Sequence, residues 1–320
     1  MVFLGYHASH EQVPPSRLLS AVVRAEEIGF DGAMCSDHLA PWGIAQGESG
    51  YAWSWLGAAL ASTSFSLGVV TAPGQRYHPV ISAQAIATLE EMFPGRFWAA
   101  LGSGEAVNEH VTGDEWPPKD RRNTRLRQSV DVIRELLAGR EVSRSGEIDV
   151  HRARVWSLPA DPPPLLGAAV TAETAAWAAG WADGLATVAQ PPDKLAKVLQ
   201  AYADAGGTGP RVIQIHVSLE DTDAAAVQVA REQWRHSAIS GSLWDIEQPE
   251  DFDALAGEPS DEQLRKGALI AHDASELADR IAGLVALGFD RAYIHGIGTD
   301  QTAFLDRVER DLLPALRGAL

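Results

Sequence analysis

Short apolar runs alternate along the chain with longer segments in which apolar positions recur every three to four residues. The first kind of run fits a buried strand and the second an amphipathic helix. Read this way, strands are expected at 2–7, 32–35, 65–70, 96–101, 165–168, 183–187, 211–217 and 291–295. Helices are expected at 16–28, 80–93, 121–137, 173–179, 194–205, 224–234, 275–287 and 302–316. Eight strands alternating with helices is the count that a closed parallel (β/α)8 TIM barrel requires, an α/β fold. The segments Glu27-Ile28-Gly29-Phe30-Asp31 and Ala286-Leu287-Gly288-Phe289-Asp290 repeat one helix-end and strand-entry device, with glycine free to take the left-handed cap. Two stretches break the alternation: 138–161 reads as a hairpin excursion, and 238–268 as an insertion before the last strand. Both are too short to stand alone, so one barrel domain over 1–320 is expected.

Composition narrows what such a barrel can bind. Asp plus Glu number 43 against 26 Lys plus Arg, a formal charge of −17. That excludes the basic footprint that nucleic acid or an anionic membrane needs, and leaves a small molecule as partner. The lone Cys35 removes an intrachain disulfide and multi-cysteine metal sites, and reads as a small buried hydrophobe; no metal is expected. Neither a signal-peptide pattern nor a membrane-length apolar run is present, which fits a cytoplasmic protein.

In this architecture chemistry gathers where strands end. Three consecutive strand ends hold the densest polar sequence: Ser36-Asp37-His38 with Trp42, then Thr71 with Arg76-Tyr77-His78, then Gly102-Ser103-Gly104-Glu105 with Asn108. Asp37 and His38 are adjacent, so they point to opposite sides. A neutral His38 could take a hydroxyl proton, or simply be hydrogen-bonded in a loop. Gly104 lets backbone approach a ligand, although the third glycine of a dinucleotide fingerprint is replaced by Val107. Glu105 reads equally as an acid or a helix cap, and Asn108 as a ring contact or a cap. Trp42, Trp53 and Trp55 are expected to wall a flat cofactor, with Trp177, Trp181 and Trp234 in the packing core.

Those ordered motifs, with Leu4-Gly5-Tyr6, Arg76-Tyr77-His78-Pro79 and the segment 83–88, resemble the luciferase-like flavin oxidoreductases. Within them the likeness is to the subgroup around deazaflavin-dependent sugar-phosphate dehydrogenases. The resemblance implies a flavin-type ring across the barrel mouth. It makes His38 the candidate base, Glu105 and Trp42 the reacting face, and Asp37, Gly104 and Asn108 cofactor contacts. It also implies a non-prolyl cis peptide within 69–71, so that Val70 and Thr71 buttress the ring. Gly167 and Ala168 stand at a loop opening a helix that could receive a phosphate, and a homodimer is the family habit.

The second half departs from that subgroup. The loop 187–191 lacks basic residues and Gly267 aligns where an arginine would stand, which disfavours a phosphorylated sugar. The segments 72–79 and 93–98 resemble a branch using FMN. FMN is therefore the expected cofactor and deazaflavin coenzyme F420 the alternative. Two other classes stay open: a flavin-binding carrier or sensor without turnover, and a hydrolase using Asp37 and Glu105 as a carboxylate pair.

Overall fold

The computed structural model describes residues 2–320. Its strands are β1 (Phe3–Ala8), β2 (Gly32–Ser36), β3 (Ser66–Thr71), β4 (Phe97–Leu101), β5 (Val142–Arg144), β6 (Val150–Ala153), β7 (Leu165–Ala168), β8 (Leu185–Val188), β9 (Arg211–Leu219), β10 (Leu269–Ala271) and β11 (Arg291–Gly296). Eight of them close a parallel barrel in the order β1-β2-β3-β4-β7-β8-β9-β11, and β11 returns to β1. The eight expected strands are thus the barrel staves. β5 and β6 form the antiparallel hairpin foreseen in 138–161. The short β10 was not foreseen; it extends the sheet beyond the end of β9.

Strand periodicity sorts side chains into two layers. Leu4, Tyr6, Ala33, Cys35, Leu67 and Val69 face outward into the helix layer. Met34, Trp98, Ala100, Leu166, Ala186, Val212 and Tyr293 fill the barrel interior. Two large rings fit there because their neighbours have no side chain: a Cβ on Gly5 would overlap Tyr293, and one on Gly68 would overlap Trp98. This plug closes the lower barrel, so the open volume lies above it at the strand ends.

A helix at Ala52–Ser62 has no counterpart in the sequence reading. Ala52, Trp53, Trp55, Leu56, Ala59 and Leu60 are all buried on it. Trp53 and Trp55 therefore belong to the packing between barrel and helices, not to a cofactor wall. The segment following the helix Asp223–Gln233 carries two short helices, Pro249–Ala256 and Asp261–Gly267, and leads into β10.

Every peptide bond among the described residues is trans, so the cis bond expected within 69–71 is absent. Val70 pairs in regular register with Ser36 and Ala100, and its carbonyl accepts from Asp37 N at 3.0 Å. A trans backbone satisfies both ladders there.

Candidate active site

A cavity of about 800 Å³ opens at the C-terminal ends of the strands. Its floor is set by inward positions on the staves: His7 on β1, Met34 and Ser36 on β2, Val70 on β3, Gln214 and His216 on β9, and His295 on β11. His38 continues the inward parity of Met34 and Ser36. Asp37 takes the opposite parity, as its adjacency to His38 requires.

His38 stands between two carboxylates. Its Nδ1 is 3.5 Å from Glu11 Oε1 and its Nε2 is 3.6 Å from Glu105 Oε2. Glu11 is buried and accepts from Ser9 Oγ at 2.5 Å and Ser36 Oγ at 2.8 Å. Burial alone would raise the Glu11 carboxyl; the facing His38 ring, the Ser9 hydroxyl and His7 outweigh it and hold it at about 2. Glu105 goes the other way: desolvation raises its carboxyl despite His38 and Arg122. One flank of His38 is therefore a firm anion and the other a carboxyl drawn toward its neutral form, which is the asymmetry acid–base work needs. Trp42 packs on His38 with ring centres 4.9 Å apart and stacks on His236 at 5.3 Å.

Asp37 lies at the cavity edge, but its carboxylate is fully engaged by the protein. Oδ2 accepts from Thr71 Oγ1 at 2.8 Å and Trp53 Nε1 at 3.2 Å; Oδ1 accepts from Tyr77 Oη at 3.1 Å and faces Arg76 at 3.3 Å. Arg76 also donates to the Asp37 carbonyl at 2.7 Å. With its acceptor sites taken, Asp37 ties the ends of β2 and β3 together and fixes the backbone that carries His38. It is not free to pair with Glu105 in a hydrolytic mechanism. Thr71 likewise spends its hydroxyl on Asp37. His78 caps the helix Pro79–Met92 and contacts the Asp149 carbonyl, away from the floor.

The other expected residues divide. Val70, Thr71, Gly104, Glu105, Asn108 and Ala168 all line the cavity. Gly104 has φ +84°, a backbone conformation that suits glycine. Asn108 Oδ1 accepts from Leu39 N at 2.8 Å and its Nδ2 donates to Glu105 Oε2 at 3.3 Å, so it links two of the loops. Gly167 does not line the cavity. It faces the helix layer, where a Cβ would sit 2.7 Å from the Ala178 Cβ. The helix after β7 spans only Ala172–Ala178; Thr171 Oγ1 accepts from Thr174 N, and Glu173 brings a carboxylate into its first turn.

Several lining groups escaped the sequence reading. Glu11, His7, His216, His236 and His295 come from distant parts of the chain. Trp177 and Trp234, expected in the core, are walls of the cavity. Lys119, Arg122, Lys194 and Lys266 gather four cations around it in a chain of net charge −17. Lys194 and Lys266 lie just outside the loop 187–191 and Gly267, the positions whose want of basic residues disfavoured a phosphorylated sugar. Lys119 donates to Ser103 Oγ at 2.8 Å. The segment after the helix Asp223–Gln233 crosses the mouth. Leu243 and Trp244 line the cavity, while Asp245 accepts from Trp116 Nε1 at 3.0 Å and faces Arg122 at 3.5 Å.

Comparison with known proteins adds an independent line. The luciferase-like monooxygenase family profile matches residues 1–291. An F420-dependent glucose-6-phosphate dehydrogenase of Intrasporangium calvum is 34% identical over 333 residues, with 99% of this chain and 100% of that protein aligned. One of Nakamurella multipartita is 36% identical, covering 98% and 96%. A solved F420-dependent secondary alcohol dehydrogenase, in complex with an F420-acetone adduct, superposes with a TM-score of 0.90 at 29% identity, covering 99% of both chains. The F420-dependent tetrahydromethanopterin reductase of Methanopyrus kandleri shares the fold, with a TM-score of 0.78 at 19% identity.

Proposed function

Because this chain belongs to the luciferase-like monooxygenase family, we propose that it is a coenzyme F420-dependent dehydrogenase that oxidises a hydroxyl-bearing substrate, with a sugar phosphate as the first candidate. The observation that carries this reading is His38, held between Glu11 and Glu105 at the wall of a cavity large enough for a cofactor and a small substrate together. FMN has less behind it than the deazaflavin, since the relatives described above are named for F420. A homodimer in the cytoplasm accompanies the proposal.

The residues suit the deazaflavin. The Thr187 hydroxyl is buried at the cavity without a protein partner, and the Gly102–Gly104 backbone lies open at the mouth. Lys119 and Arg122 give an anionic tail something to meet. Bound there, the deazaflavin supplies the hydride acceptor. His38 takes the proton from the substrate hydroxyl, and the Glu11 carboxylate at 3.5 Å stabilises the resulting imidazolium. Glu105, whose carboxyl burial raises, faces the other nitrogen and can hold or return a proton. Trp42 and Trp244 exclude water from that exchange.

Lys194 and Lys266 give the reading a test at the substrate end. F420 bleaching with glucose 6-phosphate is expected, and Lys194→Ala with Lys266→Ala should raise its KM roughly 10–100-fold, from the loss of charge-assisted contacts. The KM for glucose itself should stay within about twofold, because it carries no charge for the lysines to meet. No F420 reduction with glucose 6-phosphate, glucose or 2-propanol would sink the proposal.

A further inference from the structure

The cavity floor contains a chain of neutral groups that His38 and its carboxylates do not use. Gln12, buried just after β1, donates its amide Nε2 to the Ile297 carbonyl. A carbonyl can only accept, so the amide orientation is forced and Oε1 must face the other way. There it meets His295 Nε2 at 2.8 Å, which must therefore carry a proton. Burial lowers the basicity of His295 well below that of an ordinary histidine, which keeps the ring neutral with a lone pair on Nδ1. That lone pair faces His216 Nδ1 at 2.8 Å, so His216 donates from Nδ1. Burial also holds His216 neutral, with its pKa at about 3. Its second nitrogen, Nε2, must then carry a lone pair.

That last atom has no protein partner among the described residues, nor is it among the sealed polar atoms of the interior. His216 is half-buried, lines the cavity, and is fixed on one side by Trp234 at 4.4 Å between ring centres. We propose that His216 Nε2 is the acceptor of a hydroxyl subsite at the cavity floor, locked as an acceptor by the relay from Ile297 through Gln12 and His295. The subsite takes an O–H donor and repels an anionic oxygen. With His38 meeting the hydroxyl that is oxidised, it selects a substrate carrying at least one further hydroxyl, and leaves any phosphate to the lysines at the mouth. This assignment of substrate class rests on the dehydrogenase reading; the relay itself does not.

Imidazole ¹⁵N NMR tests the two parts separately. In the full-length protein, with His216 assigned by its loss in His216→Asn, the expected spectrum has His216 protonated at Nδ1 and bare at Nε2. His295 should show the opposite tautomer. Gln12→Leu should leave His216 without a single tautomer. Adding D-glucose should move the His216 Nε2 signal, whereas acetone, which only accepts, should not. A wild-type His216 protonated at Nε2, or a single unchanged tautomer in Gln12→Leu, overturns the relay. No response to glucose, or an equal response to acetone, overturns the hydroxyl subsite. Because the tautomers are read without cofactor, failure to bind F420 would count against the dehydrogenase reading and leave the relay standing.

Discussion

His38→Ala is expected to lower kcat by about 10²–10⁴-fold, the usual worth of a positioned general base. F420 binding should be nearly unchanged, because the side chain spends its contacts on Glu11, Glu105 and Trp42. The reason for so large an effect is geometric. The Asp37 clamp fixes the backbone, the two glutamates face the two ring nitrogens, and Trp42 covers the ring. No other imidazole can take over. Burial holds His7 at about 4 and His236 at about 3, so both are poor proton acceptors at neutral pH. A His38→Ala enzyme retaining more than roughly a tenth of wild-type turnover would remove His38 as the base.

The same buried imidazoles make stability strongly pH-dependent. Burial lowers His7 and His10 to about 4, His216 and His236 to about 3, and His295 well below its usual value. In the unfolded chain each titrates near 6.5. Between those values the unfolded state binds more protons than the native state, so stability falls as pH falls. Each histidine then costs up to about 1.4 kcal/mol per pH unit, or about 2 kcal/mol by pH 5. Even a few such rings are a sizeable share of the roughly 5–15 kcal/mol that holds a typical protein folded. Glu11 adds to this at lower pH: its depressed carboxyl stabilises the fold above its unfolded value, a contribution lost on the way down to about 2. Glu105 and Glu109 act in the opposite sense, since burial raises them and the native state takes up their protons first. The five histidines outnumber them. Thermal melts should show Tm dropping steeply from pH 6.5 to pH 5. A flat or rising Tm across that interval would contradict the assignment of these rings as neutral in the folded protein.

Much of this site is readable from the chain because parallel strands place their C-terminal ends on one rim. His38, Trp42, Glu105 and Asn108 sit within a few residues of a strand end, so locating the strands locates them. What escaped did so for physical reasons. The helix Ala52–Ser62 exposes only Ser54, Ala58, Ala61 and Ser62, so its outer face carries no charge and little polarity to contrast with the buried one. Without it, Trp53 and Trp55 looked like loop residues at the rim. Glu11 lies in the polar run Ser9-His10-Glu11-Gln12, which reads as a solvated loop, and only the pairing of β1 with β2 brings it to His38. His216 and His295 lie inside strands, where a buried structural histidine and a ligand-binding one have the same sequence signature. Lys194 and Lys266 sit on helices among other charged residues, and look like solvated surface until the mouth is assembled. The exhaustion of Asp37 by four side-chain donors depends on three separate elements and has no local trace.

Direct titration of the purified protein with F420 and, separately, FMN, followed by fluorescence quenching, tests the central claim most directly. F420 should bind with a Kd below roughly 10 μM and FMN at least about tenfold more weakly. Tighter binding of FMN, or no measurable binding of F420, would contradict it.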